Sequence, residues 1–507
     1  MLDTPSPPSA PPEYPRTIPD PGTPGMAFLA LISLFVFIGG TFVLQQMKAA
    51  QPSPAQAAPG LAAPDQIDDP FVLSSKLVVK VGRAMSGVGG QPTSTSTLSA
   101  QSIGAARDAH ERFRAAVVVG ELEGAPRAID QFLRLRTFLE TPHQTTIDEA
   151  WVERPSEGER VELLRDIELA QVLLEQGPVS LPAADADRLL KRHGWFGSLL
   201  TTSGLPDTDP ARAPLVRNGP ALIILLVVAL LGGGLVIVGG CVAFVFAVAH
   251  VIKKGMPRRF VPPAPGGSVY LETAALFFAS FLVLKFVTDA VGSSANISPS
   301  RAVQFALAAQ WLILPVIFWP IVRGVPARAH FRMIGLHTGQ GVFREIVAGL
   351  FGYLAGIPIM ILAVLVSAIL IIGKGLLGGN AHGGGAPASP PENPIIGIVT
   401  QGGVTVVMLY ALATVWAPIV EESVFRGALL RHLRARMPLV VAAIVSAVAF
   451  ALAHGYEWMA LGPVFAIGFN FAIIREWRGS LIAPIVAHAL HNGTVLAILI
   501  TMVSLLN

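Results

Sequence analysis

From Pro220 to its end, the chain is built of long apolar runs separated by short polar or basic clusters, whereas residues 51–217 alternate apolar and charged positions at helical spacing. Eight runs are long enough to cross, or nearly cross, a bilayer: 220–252, 270–291, 303–323, 345–372, 396–420, 438–454, 459–475 and 481–503. An apolar run at 26–46 makes a ninth. It follows a long proline-rich lead, PSPPSAPPEYP, and lacks the basic flank of a secretory leader, so it is expected as an uncleaved anchor. In the polar region, AARDAHERFRAAVVVGELEGAPRAIDQFLRLRTFLE and ERVELLRDIELAQVLLEQ predict amphipathic helices of a small water-facing domain. The expected fold is all-α: a polytopic transmembrane helical bundle of eight or nine spans with an inserted small helical extramembrane domain. The expected divisions are a flexible Pro-rich tail (1–25), an N-terminal transmembrane anchor (26–46), a soluble, mainly helical domain (51–217), further spans (220–300) and a membrane core (300–507).

Charge adds a topology to this pattern. Lys253, Lys254, Arg258 and Arg259, then Arg323, Arg328 and Arg332, then Arg431, Arg434 and Arg436, then Arg475 and Arg478 fall in alternate loops. The positive-inside rule places those loops and the N-terminus in the cytoplasm, with the helical domain and the glycine-rich loop at 378–394 outside. Hydrophobic residues make up 52% of the chain and charged ones 14%, and mean hydropathy is +0.60, which excludes an ordinary soluble class. A net charge of +3, with basic residues beside apolar runs, gives no nucleic-acid footprint. The single cysteine, Cys241, rules out an intrachain disulfide. Lys285 and Asp289 stand four apart on one helix face and read as a structural pair, and 328–345 reads as interfacial. His110, His143 and His193 lie among charges and read as solvated surface.

Three polar clusters then stand out, because ionisable groups within apolar runs are costly unless they face a cavity or a partner. In the first, Glu422 and Arg426 at i, i+4 face each other, leaving Glu421 free to point elsewhere. A carboxylate in an apolar, partly wetted cavity suits general-base activation of water, while a helix-end salt bridge is the blander alternative. In the second, His454 ends an apolar run one turn after Phe450 and is either an interfacial histidine or a catalytic one. In the third, His488 and Asn492 project from one helix face, as two donors for a developing oxyanion require. The competing readings are zinc ligation by His488, His491, His454 and a glutamate, and polar side chains that bond neighbouring helices. Together the clusters supply acid/base, histidine and donor groups without a cofactor signature, which favours a hydrolytic site within the membrane.

The pattern EExxxR, FxxxH and HxxxN, met here by Glu421, Glu422 and Arg426, by Phe450 and His454, and by His488 and Asn492, resembles the CPBP intramembrane proteases. That family includes type 2 CAAX prenyl endopeptidases and bacteriocin-processing or immunity proteins. The resemblance covers about 300–507. It implies an endopeptidase in which Glu421 activates water with help from His454, His488 and Asn492 stabilise the oxyanion, and Glu422 and Arg426 orient the site. Members of the family are described both as metalloproteases and as metal-independent glutamate proteases; the spacing here leans toward the latter, with no cofactor, while His491 keeps a zinc site open, and the implied substrate is a membrane-associated or prenylated peptide. The expected setting is a bacterial inner (plasma) membrane, with membrane lipid around the chain and an unnamed protein partner open to the outer domain. A non-catalytic scaffold or immunity protein is the first alternative and a proton-coupled transporter the second. The spans as drawn also place Glu421 near one membrane face and His454 near the other, unless the helix at 396–420 is broken or tilted or the short span at 438–454 begins deeper.

Overall fold

The structure, a computed structural model, describes residues 19–49, 69–87, 92–147, 150–177, 180–257, 259–293, 297–378 and 394–507. Most of the expected Pro-rich tail, the loop at 379–393 and Arg258 lie outside these residues. In chain order the main helices are α1 (Pro24–Ala49), α2 (Pro70–Gly87), α3 (Pro92–Ala105), α4 (Ala109–Glu123), α5 (Ala125–Glu140) and α6 (Glu157–Gln176). There follow α7 (Ala183–His193), α8 (Trp195–Thr201), α9 (Gly219–Lys254), α10 (Val269–Gly292), α11 (Pro299–Ala309) and α12 (Ala327–Ile334). The last are α13 (Val342–Gly378), α14 (Gly403–Arg434), α15 (Leu439–Ala453), α16 (Leu461–Arg478) and α17 (Ile482–Leu506). A two-residue antiparallel pair, Thr146–Ile147 with Ala150–Trp151, is the one sheet among the described residues.

Seven stretches among these residues are long and apolar enough to cross a membrane, and the apolar part of α1 and all of α15 are shorter apolar helices. The chain is thus an all-α polytopic membrane protein, and these nine segments fall on the nine expected runs. Two expected boundaries move. The run at 396–420 divides at Gly402 and Gly403, both at positive φ, and α14 then continues to Arg434 rather than ending at the glutamates. The run at 303–323 winds as α11, then as a tight 3-10 stretch, Gln310–Phe318, that contains Pro315. The Lys285–Asp289 pair forms at 2.8 Å.

The contacts divide the chain into two compact units. One comprises Ala50–Gly234 with Ile369–Val406 and Ala497–Asn507. Its core is the apolar face of the amphipathic helices, centred on Phe113, Phe132, Phe138 and Phe196, all fully buried. Asp108 caps α4 by accepting from the Glu111 N–H, one of the orphan donors of the helix start, and Glu111 reaches back to the Arg107 N–H just before the cap. Here one expectation is corrected. His193 is wholly buried, stacked at 4.0 Å on Phe113 and hydrogen-bonded to Asp166 at 3.1 Å, because the buried Asp166 carboxylate receives both it and its neighbour Arg192, the latter at 2.6 Å. His110 is half-buried beside it, and only His143 is exposed.

The other unit comprises 19–49 among its described N-terminal residues, Leu235–Ala368 and Val407–Leu496. Gly349, Gly352 and Gly356 line one face of α13, where a Cβ would strike Ala483, Ile474 and Asn470, so α16 and α17 approach its backbone closely. Asn470 uses that closeness to donate to the Gly352 carbonyl at 3.1 Å. Paired arginines tie the basic end. Arg478 holds Glu345 with two bonds of 2.7 and 3.0 Å, Arg434 holds Glu476 at 2.9 and 3.1 Å, and Arg431 holds Asp20 at 2.8 Å.

Candidate active site

The site is set by an irregular α14. Pro418 has no N–H to give the turn before it, and the helix widens to π winding over Leu412–Trp416. A second widened stretch, Glu422–Leu429, carries the acidic cluster. There the Phe425 carbonyl accepts from the Leu430 N–H, five residues on, and from the Ser446 hydroxyl of α15 at 3.3 Å. Π-winding is strained and recurs at functional sites.

Pro438 begins a new helix after a short turn braced by Arg434, which donates to the Met437 carbonyl at 2.8 Å. From that turn α14 needs thirteen residues to climb to Glu421 and α15 needs fifteen to Ala453, each about 20 Å at the helical rise. The two residues therefore share a depth, which corrects the expectation of opposite faces. Its cause is the length of α14, whose apolar pattern breaks at Glu421 while its helix does not.

Glu422 and Arg426 are both fully buried and joined at 2.8 Å. Arg426 also donates to the Gly468 carbonyl of α16 at 2.9 Å, and its guanidinium lies 4.3 Å from the centre of the Phe450 ring and 5.3 Å from that of Phe471. Gly468 permits this approach, since a Cβ there would stand 3.0 Å from Phe450 and 3.3 Å from Arg426. From α17, His488 places Nδ1 2.9 Å from Glu422 Oε1 and Nε2 3.9 Å from Glu421 Oε2. Glu421 is partly accessible, and its Oε2 has no hydrogen-bond partner in the protein. A water at about 2.8 Å from both His488 Nε2 and Glu421 Oε2 fits this separation.

The remaining residues surround that group. His454 is exposed, and its Nδ1–H donates to the Phe450 carbonyl at 2.8 Å, which leaves Nε2 as the acceptor of the neutral ring. The Phe450 ring touches both histidines, at 4.6 Å from His454 and 6.0 Å from His488. Asn492 donates to the Ala413 carbonyl at 2.8 Å, in the first widened stretch, and retains a second amide hydrogen. His491 instead meets the Tyr353 hydroxyl at 3.2 Å. Among the described residues no group of three His, Cys, Asp or Glu side chains is placed to hold a metal ion. Sequence reasoning missed the His488 bridge to both glutamates, the Gly468 carbonyl and Phe471, which all depend on packing between helices. Gly468 within an apolar run was the one local sign of a close approach.

Residues 403–494 match the family model described as Type II CAAX prenyl endopeptidase Rce1-like. A curated relative, the membrane-embedded CAAX protease MroQ of Staphylococcus aureus (strain USA300), is 29% identical over 118 residues, which cover 22% of this chain and 46% of that protein. The chain thus spans less than half the length of this relative. No solved structure matches. The matched segment contains α14, α15 and α16 and the part of α17 that bears His488 and Asn492, so the polar cluster lies wholly within it. Residues 403–494 of this membrane protein are an Rce1-like domain of the type II CAAX prenyl endopeptidase family.

Proposed function

We propose that the protein is an intramembrane endopeptidase that hydrolyses a peptide bond of a membrane-associated or lipid-modified substrate. The observation that carries this reading is the unpartnered Glu421 carboxylate oxygen facing His488 Nε2 at 3.9 Å, at the partly accessible edge of a cluster whose other members are buried. Glu421 takes a proton from the water, with His454 Nε2 accepting the water's other hydrogen, and the resulting hydroxide adds to the substrate carbonyl carbon. His488, protonated at Nε2 and held at Nδ1 by Glu422, donates to the oxyanion together with the second Asn492 hydrogen. Glu421 then passes its proton to the leaving amine, so the cluster regains its starting charge. Arg426 orients Glu422 through their 2.8 Å pair. Zinc is not required in this reading, in which His491, with Nδ1 3.2 Å from the Tyr353 hydroxyl, takes no part in the chemistry. The positive-inside arrangement supports a cytoplasmic N-terminus, and the bacterial relative supports a bacterial inner membrane as the setting.

The test is cleavage of membrane-anchored and prenylated peptides by the purified protein in proteoliposomes, with and without a zinc chelator, beside Glu421→Gln. Cleavage that survives chelation and is lost in Glu421→Gln supports the reading. Reversible loss on chelation transfers the role to a metal. Unchanged cleavage by the variant refutes the glutamate mechanism.

A further inference from the structure

Around the end of α2, Arg83 pairs with Asp207 at 2.5 Å and with Glu121 at 3.4 Å, while Arg212 pairs with Asp207 at 3.1 Å and with Glu121. Two arginines thereby balance two carboxylates. Two further cations, Lys80 and Arg217, remain without a carboxylate among the described residues. Lys80 is 1% exposed and donates to the Leu505 carbonyl at 3.2 Å. Arg217 is exposed at the foot of α9. Burial, then repulsion from Lys76 and Arg217, pushes the Lys80 ammonium down to about 8, the condition of a cation that lacks an anion.

A cleft of about 220 Å³ opens beside these charges, with Arg83, Ala84, Asp207, Arg217 and Pro220 among its walls. Pro220 also stands in the first turn of α9, the most apolar of the seven long spans, whose Ile224 and Leu230 are 64% and 74% exposed. The cleft therefore lies where a water-facing surface gives way to a hydrocarbon-facing one. An anion bearing an acyl tail suits both sides of that boundary, and an arginine presents a planar fork to phosphate oxygens.

We propose that this cleft binds the phosphate of an anionic membrane lipid, with Arg217 as its direct partner, Lys80 as charge support and the acyl chains along the exposed start of α9. The experiment is lipid binding to the full chain by native mass spectrometry, titrating phosphatidylglycerol and phosphatidylcholine against the unmodified protein and Arg217→Gln. Arg217 is exposed and unpaired, so its replacement leaves the fold intact, and a melting curve checks this. The expected result is selective phosphatidylglycerol binding that weakens about fivefold in Arg217→Gln and resists inorganic phosphate. Equal binding by the variant, or equal binding of both lipids, overturns the proposal. Displacement by inorganic phosphate overturns the lipid assignment and makes the cleft a site for free phosphate.

Discussion

Glu421 and Glu422 are neighbours in the chain with different surroundings, and their substitution separates chemistry from stability. Glu421 Oε2 lacks a partner, so Glu421→Gln removes a proton acceptor without stranding a charge. We expect cleavage to vanish while the melting temperature stays within a degree or two of the unmodified protein. Glu422→Ala leaves Arg426 and His488 buried without their shared carboxylate. It is expected to cost about 3–5 kcal/mol, seen as a large fall in melting temperature as well as lost activity. In the helical domain, burial pushes His193 down from 6.5 to about 4. Burial raises Asp166, but His193 and Arg192 outweigh it and bring the carboxyl down from 3.8 to about 2. At both groups the unfolded chain binds more protons than the folded one, so stability falls as pH drops from 6.5 to 4 through His193 and from 3.8 to 2 through Asp166. Glu111 acts oppositely, raised by burial and by Asp108 to about 7, and gains stability as pH falls toward 4.5. Hydrogen exchange along α6 and α7 isolates the histidine: protection drops below pH 6 in the unmodified protein, and His193→Gln removes that portion of the dependence.

At the scale of elements, the part of the site legible in the sequence is the part that lies within one helix. The helical repeat alone pairs Glu422 with Arg426 and aligns His488 with Asn492. It also predicts the amphipathic helices around Phe113 and Phe132. Contacts between helices have no such local record: His488 reaches Glu422 across 66 residues and Arg426 reaches Gly468 across 42. The π-winding of α14 is equally silent, as Pro418 marks a disturbance without saying how the turn will absorb it. Apolar periodicity reads a helix as ended where polarity begins, which is why α14 runs on past its expected limit. Gly468 offers the test at this scale. Gly468→Ala places a methyl group against Phe450 and Arg426, so α15 and α16 must part by a few tenths of an ångström. We expect kcat to fall on the order of tenfold to a hundredfold with KM little changed. Gly462→Ala, in the same helix but away from the cluster, is the control, and an equal loss there defeats the argument.

For the whole molecule, the side-chain hydrogen bond of greatest reach among the described residues of the membrane unit joins Asp20, just before α1, to Arg431 at the end of α14, 411 residues apart in the chain. Both side chains are buried, and the Pro21 carbonyl accepts from Ser268 N–H in the same corner at 3.0 Å. Asp20→Ala strands Arg431 and is expected to cost about 3 kcal/mol, read as lost amide protection at Ser268 and Val269 and a lower unfolding midpoint. The equal climb of α14 and α15 from the turn at Pro438 has a consequence for whatever is cut. If cleavage occurs beside Glu421, a chain entering from the basic end has to cross about 20 Å before its scissile bond arrives, and an extended strand covers that with about six residues. Such a substrate needs at least that length of unfolded slack between its nearest folded domain and the bond, so a tightly folded protein with a shorter tail is spared by reach alone, whatever its sequence.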